Sequence, residues 1–345
     1  MKILVTGNLG YIGSVLTQEL TAVGHDVSGL DVGYFRDCTL AESPAPARQI
    51  IRDIREVGSA DLENVEGVIH LAGLSNDPLG EFDPRVTDAT NREATARLAA
   101  LAKSCGVRRF VYASSQSMYG VSGTDQELDE DTSEKNPITA YARTKWEAEV
   151  RIKEFADADF TVVCMRPSTV FGASPRLRCD IVFNNLVACA FTTGRIEIKS
   201  DGTPWRPVVH VRDVCSAFRA GLEAPAGIVN ARSYNVGIPN GNFTVRQLAE
   251  AAQRSVPGST LTFTGEHGGD SRTYRVGFTR ILTELAGWYR PEWDLDRGGA
   301  ELVEFFDRVG FTEADFRGEK CVRLARLKRL TETGAVDGDM RFIRG

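Results

Sequence analysis

The sequence has only four histidines, His25, His70, His210 and His267, and they are scattered. None stands in an HxxxH or HxxE arrangement, so a structural metal has little to rest on. Seven cysteines are present, an odd number with no CxxC pair. That suits free thiols in a reducing compartment and argues against a disulfide framework. No apolar run approaches the length of a membrane span. No block of basic residues interleaved with aromatics occurs in the first 300 residues, and 41 basic against 47 acidic side chains leave a net charge of −6. Nucleic acid is therefore not an expected partner. The first strand begins at residue 2, which leaves no room for a signal peptide, so a cytoplasmic location is expected. Internal repeats and low-complexity tracts are also missing.

What is present is ordinary for a soluble globular chain: 345 residues, 42% hydrophobic and 26% charged. This length can bury a sizeable core, as one large domain or two smaller ones. The informative stretch is the first thirteen residues, MKILVTGNLGYIG. Ile3-Leu4-Val5 is the apolar run of a buried parallel strand. Thr6-Gly7 turns the chain, and Tyr11 to Leu20 reads as a helix. Gly7 permits a tight turn, Gly10 a close approach of backbone to a ligand, and Gly13 a helix lying close on the strand. The helix start offers unpaired N–H groups and a positive dipole end to a pyrophosphate. The GxxGxxG spacing differs from the commoner GxGxxG fingerprint. Val27 to Leu30 reads as a second strand ending in Asp31, the place of a ribose-binding carboxylate. That acid would repel a 2′-phosphate and favours NAD over NADP; Arg36 nearby is the one residue that could accommodate such a phosphate.

Strand and helix signals alternate to about residue 165, which predicts a parallel sheet covered by helices. Further strands are expected at 49–53, 67–73, 108–113 and 161–166, with a long helix from Pro84 to Cys105 that contains Asn91. Asp53 could reach the adenine end of a cofactor or cap its turn. Gly120 to Thr139 reads as a polar surface excursion. Asn136-Pro137 signals a helix start, placing Tyr141 in the second turn and Lys145 one turn later on the same face. Beyond 167 the elements are shorter: a loop at 172–178, a helix at 180–193, strands at 195–199 and 259–264, an extended stretch at 202–211, a helix capped by Asp213, a buried strand at 234–237 and a helix at 244–255. Arg323, Arg326, Lys328 and Arg329 are expected on a solvated helix face.

Tyr141 and Lys145 form YxxxK, and Ser114-Ser115 end the fifth strand. A base that takes a proton from a secondary alcohol as hydride leaves would need such a tyrosine. Its free pKa is ~10, and bringing it near neutrality takes about three units, or roughly 4 kcal/mol. A lysine ammonium on the same face, with a positive nicotinamide ring, would favour the phenolate. Ser115 would donate a hydrogen bond to the substrate oxygen.

Together TGNLGYIG, Asp31, HLAG at His70, ASSQSMYG, YARTK, MRPSTVFG and WRPVVHVRDV resemble the extended short-chain dehydrogenase/reductases, in particular the NAD-dependent nucleotide-sugar epimerase/dehydratase family. The resemblance runs to about residue 290. It implies an α/β fold: a Rossmann doubly wound parallel sheet at 1–167 plus about 204–237, and a smaller mixed substrate domain from about 168–203 and 238–345. It implies Ser115, Tyr141 and Lys145 as the catalytic set. The implied NAD site comprises Gly7, Leu9, Gly10, Tyr11, Ile12, Gly13, Asp31, Asp53, Ile54, Leu71, Ala72, Gly73, Asn91, Ser114, Tyr141, Lys145, Pro167 and Val170. The implied nucleotide-sugar site comprises Ser75, Ser115, Gln116, Ser117, Thr169, Arg178, Arg206 and Arg272, with Tyr274 close by. It also implies a homodimer formed through the helices bearing Asn91 and Tyr141.

Departures from the family pattern narrow the reaction. Dehydratases of the family follow the catalytic Ser/Thr with Asp-Glu, or at least a glutamate two positions on, and its sugar-acid decarboxylases carry that glutamate too; here the residues are Gln116 and Ser117, and neither serves as a general acid or base near neutral pH. Thr169 replaces a common Asn, and Gly277 a common Asp. Arg176 and Arg178 either reach an anionic substrate or are ordinary surface arginines. The expected activity is an NAD-dependent nucleotide-sugar epimerase, at C4 through a 4-keto sugar. The alternative is an NAD(P)-dependent reductase or dehydrogenase of a keto-deoxysugar; a 4,6-dehydratase or a non-catalytic NAD sensor fits less well.

Overall fold

Ile3, Leu4 and Val5 are all buried, but they face two ways: Ile3 and Val5 join one apolar cluster, Leu4 another. A strand covered on both faces belongs in the middle of a parallel sheet. The computed structural model, which describes residues 1–121, 126–266 and 273–343, puts it there. Twelve strands are described: β1 (Lys2–Thr6), β2 (Asp26–Asp31), β3 (Arg48–Ile51), β4 (Gly67–His70), β5 (Arg109–Ala113), β6 (Thr161–Pro167), β7 (Thr169–Phe171), β8 (Arg195–Ile198), β9 (Trp205–His210), β10 (Arg232–Val236), β11 (Asn242–Thr244) and β12 (Thr260–Phe263). Seven form one sheet in the order β10-β6-β5-β4-β1-β2-β3, with every pairing parallel.

The longer helices are α1 (Tyr11–Ala22), α2 (Ala94–Ser104), α3 (Ala140–Lys153), α4 (Val182–Thr193), α5 (Val211–Glu223), α6 (Val245–Ser255), α7 (Leu295–Val309) and α8 (Arg323–Glu332). α1 and α5 cover the Ile3–Val5 face, and α2 and α3 cover the Leu4 face. The chain steps from β1 outward to β3, then returns to the other side of β1 as β4. Ligands of such sheets bind at that reversal, beyond the carboxyl ends of the strands. Beside this sheet lie a three-stranded sheet, β11-β9-β7, and the pair β12-β8, with α4, α6 and α7 packed together.

Several expectations change. The long helix at Pro84 is interrupted: Pro84–Asp88 runs into a π turn at Ala89–Glu93 before α2. α3 starts at Ala140, not at Pro137, because the Thr139 side chain caps it by accepting from the N–H of Ala142. Tyr141 therefore stands in the first turn. Asp213 does not cap α5; His210 takes that position, and the Asp213 carboxylate accepts the N–H groups of Glu292 and Trp293 instead. The stretch before α3 is not all surface, since Glu130 is buried and accepts from the N–H of Asn235. Residues 205–210 pair with β7 and β11 rather than joining the larger sheet. In the tail, Phe311, Phe316 and Cys321 join the main apolar cluster, with the 313–317 turn of helix packed on α4, while Leu324, Leu327, Leu330, Val336 and Met340 pack on the loops that follow β2 and β4. The solvated face expected for α8 is only part of it: Arg323, Leu327 and Leu330 are buried.

Candidate active site

At the carboxyl ends of β1, β2 and β4 the chain leaves a cleft of about 390 Å³. The turn after β1 forms its floor. Gly7 has φ +74°, and a Cβ there would lie 2.7 Å from the backbone nitrogen of Ala72. At Gly13 a Cβ would lie 2.2 Å from the Gly7 carbonyl oxygen, so α1 rests directly on the turn. Only glycine allows the first geometry without strain and the second without a clash. The start of α1 thus opens into the cleft with its N–H groups unencumbered by side chains. Asp31, at the end of β2, accepts from the N–H groups of Leu9 and Gly33 at 3.1 and 2.7 Å. Burial raises its pKa, against those two donors. These residues fit a dinucleotide: a helix N-terminus for a pyrophosphate, and an anchored carboxylate for ribose hydroxyls.

Tyr141, Lys145 and Ser115 meet on the other wall. Ser115 ends the β5 turn, where its hydroxyl oxygen accepts from the N–H of Ser117 at 3.2 Å. The Ser115 hydroxyl also hydrogen-bonds Tyr141. Lys145 is 3% exposed, donates to the Ala113 carbonyl at 2.8 Å and lies 4.9 Å from the Tyr112 ring centre. The charge relation differs from the sequence expectation. Burial pushes Tyr141 above its ordinary value; Ser115 pulls it down, Asp77 raises it and Arg178 lowers it. Burial also pushes the Lys145 ammonium down to about 7. In a poorly solvated wall both charges are disfavoured, so the phenolate needs a further positive charge in the cleft.

Nearly every described residue expected at the site lines this cleft: Gly7, Gly10, Tyr11, Ile12, Gly13, Asp31, Asp53, Ile54, Leu71, Ala72, Gly73, Ser114, Ser115, Tyr141, Lys145, Pro167 and Val170, together with Ser75, Gln116, Ser117, Thr169, Arg178 and Arg206. Two are placed differently. Leu9 contributes its N–H to Asp31 but does not wall the cleft. Asn91, in the π turn, is fully buried and spends its amide on both backbone groups of Leu74, at 2.9 and 3.0 Å. It holds the turn after β4. Arg272 lies outside the described residues.

Asp53 does both things allowed to it: it caps the turn at Arg55 and lines the cleft. Arg178 is 8% exposed and paired with Asp180 at 2.8 and 2.9 Å, which rules out a surface role. Arg176 donates to the carbonyls of Phe35 and Arg36, both at 2.7 Å, and so shapes the loop after β2. Arg36 pairs with Asp37 on the surface. Gln116 is 1% exposed; its amide donates to the Arg166 carbonyl at 2.9 Å, and its oxygen accepts from Ser168 at 3.2 Å. Sequence reasoning missed Asp180, Tyr34 and Arg323 in the cleft wall. The RxD spacing of Arg178 and Asp180 was the available signal for the first. For the other two none was available, because the tail that brings them together folds back from far along the chain.

A Rossmann-type dinucleotide cleft with a Ser–Tyr–Lys set on its wall defines a nucleotide-dependent oxidoreductase class. Comparison with known proteins agrees. The model of the NAD dependent epimerase/dehydratase family matches residues 3–237, and the chain belongs to that family. A UDP-glucose 4-epimerase of Mycolicibacterium smegmatis is 33% identical, over 89% of this chain and 98% of that protein. UDP-glucuronic acid decarboxylase 2 of Arabidopsis thaliana is 27% identical, over 89% of this chain and 68% of its own. Among solved structures, MoeE5 in complex with UDP-glucose and NAD superposes with a TM-score of 0.74 at 27% identity, covering 89% of this chain and 99% of that one. Among the described residues no helix is long and apolar enough to cross a membrane.

Proposed function

We propose that the protein is an NAD-dependent nucleotide-sugar epimerase that inverts C4 through a transient 4-keto sugar. The observation that carries this reading is the neighbourhood of Ser115. Tyr141 is hydrogen-bonded to it and Lys145 lines the same wall, while Gln116 is tied to backbone and Ser117 is bonded to Ser115 at 2.8 Å. The wall can therefore move a hydroxyl proton, but it offers no carboxylate next to Ser115 to remove a ring proton or expel water. NAD, when bound, would take up the hydride from the sugar carbon and return it. Tyr141 would accept the 4-hydroxyl proton and later restore it. Ser115 would hold the oxygen, and Lys145 would keep positive charge near the phenol. Gly7, Gly10, Gly13 and Asp31 would hold the dinucleotide; Thr169, Arg178 and Arg206 stand where they could meet the sugar diphosphate.

The 33% identity to a UDP-glucose 4-epimerase supports this reading, and the UDP-glucuronic acid decarboxylase among the relatives favours a uridine-type nucleotide sugar as the first substrate to test. The test is to incubate the purified protein with UDP-glucose, UDP-galactose and UDP-glucuronate, without added cofactor, and to follow C4 configuration by proton NMR. Interconversion with no net change in NADH absorbance is expected. Stoichiometric consumption of NAD(P)H with a reduced product, or release of carbon dioxide or water from the sugar, would overturn it.

A further inference from the structure

The tail beyond α7 does more than close the chain. Arg323, the first residue of α8, is 2% exposed and lines the same cleft as the glycine turn and Asp31. Its guanidinium donates to the carbonyls of Arg176 and Lys320, at 2.8 and 3.1 Å, and packs over the Phe35 ring at 4.8 Å. Among the described residues no carboxylate pairs with it. That separates it from Arg178, whose charge is already met by Asp180. A guanidinium this buried, with the Asp31 and Asp180 carboxylates near but beyond ion-pair distance, is costly, and burial, with the Arg178 charge adding to it, lowers its pKa to about 10. The arrangement makes physical sense if an anion completes it, since a guanidinium fork matches phosphate oxygens.

The residues after Arg323 are fastened to loops around the cleft. The Tyr34 hydroxyl donates to the Met340 carbonyl, Arg55 to the Asp339 carbonyl at 2.8 Å, and Arg85 to the Gly338 carbonyl at 2.9 Å. Leu327, Leu330, Val336 and Met340 bury against Tyr34, Leu74, Leu79 and Val86. These contacts tie together the segments that follow β2, β3 and β4, the strands flanking the point where the strand order reverses. The family match stops at residue 237, well short of this segment.

We propose that Arg323 is a binding residue for the pyrophosphate of the dinucleotide, and that residues 319–343 form a strap that retains the cofactor in the cleft. The strap adds a cation to the partial positive charge of the α1 N-terminus, which alone is about half a unit. A dinucleotide so enclosed leaves only when the strap lifts, which suits a cofactor that is regenerated within each turnover. The proposal rests on the cofactor being a dinucleotide and is independent of which sugar is used.

The test is calorimetric titration of the full-length, cofactor-stripped chain with NAD, ADP and adenosine, for wild type and Arg323→Met. Loss of one charge-assisted contact should weaken NAD and ADP by about ten- to a hundredfold and leave adenosine unchanged. An NAD affinity within threefold of wild type overturns the proposal, as does equal weakening of ADP and adenosine. Absence of NAD binding by the wild type would overturn the cofactor assignment as well, so the two failures are distinguishable. Amide hydrogen exchange on the unmutated chain supplies a second arm that does not depend on the variant folding. Added NAD should slow exchange in residues 319–343 at least tenfold, and unchanged exchange there overturns the strap.

Discussion

Tyr141, Lys145 and Glu149 recur at every fourth residue on one face of α3, and Glu149 is the anchor of that face. Its carboxylate is fully buried and meets the Arg166 guanidinium on both oxygens, together with the hydroxyls of Ser114 and Ser233. Arg166 is itself 1% exposed and also donates to the Tyr119 hydroxyl at 2.9 Å. Burial, the largest single effect, raises the Glu149 carboxyl, but the charge and hydrogen bonds of Arg166, with Lys153 and the Ser114 hydroxyl, together outweigh it, and the pKa falls from 4.5 to about 2. A lowering of this size corresponds to roughly 3 kcal/mol. The folded value lies below the unfolded one. The stabilisation is therefore present above the ordinary carboxylate range and is lost as pH falls through about 2. Glu149→Gln keeps the shape but leaves Arg166 without a counter-charge, and breaking one side of a buried pair costs about 3–5 kcal/mol. Urea unfolding followed by circular dichroism should show a gap of about 3 kcal/mol between wild type and variant at pH 7. By pH 3 the gap should shrink to about half or less. A gap under about 1 kcal/mol at pH 7, or one that is the same at both pH values, would refute the assignment of the stabilisation to this ion pair.

Two further outcomes follow from the cleft. Tyr141→Phe should lower turnover of any confirmed nucleotide-sugar substrate by about 10²–10⁴-fold while the NAD content of the purified protein, read by absorbance ratio, stays that of wild type; a rate within tenfold of wild type would remove Tyr141 from the chemistry. Gly13→Ala places a methyl 2.2 Å from the Gly7 carbonyl and 2.7 Å from the Asn8 Cα. Both neighbours are backbone, so the α1 start must shift. NAD binding should weaken by more than about tenfold, and normal affinity by titration would show that the turn can adjust without disturbing the helix start.

Much of this molecule was legible because its signals are local. The alternation of apolar runs and amphipathic stretches up to residue 165 places six of the seven sheet strands, and most plainly β1, β4, β5 and β6, whose near-complete burial demands an apolar run. The glycine turn and YxxxK were readable for the same reason: each is a backbone or one-face geometry set within a few residues. What failed were competitions decided by tertiary contacts. Asn136-Pro137 is a sound local helix start, yet the Thr139 hydroxyl donates to Asp77 at 2.6 Å while its oxygen caps α3, and that pairing fixes the boundary. The amide of Asn91 is set by the π turn against the Leu74 backbone, a contact that no local signal announces. The basic run at 323–329 looked solvated because charge alone cannot distinguish an exposed arginine from one folded over a cleft more than 250 residues upstream.

The pair after Ser115 shows the same division between sequence and structure. Gln116 and Ser117 are readable in the sequence as the absence of an acid followed by a glutamate, the glutamate's place being Ser117. The structure adds why an amide stands at Gln116. Its nitrogen donates to carbonyl oxygens of two different strands, Arg166 at 2.9 Å and Val236 at 3.4 Å, while its oxygen receives the Ser168 hydroxyl. A carboxylate has no hydrogen to give those carbonyls and would set negative charge against their lone pairs in a buried place. The amide at 116 is thus matched to the β6–β10 junction as well as being inert toward a sugar proton.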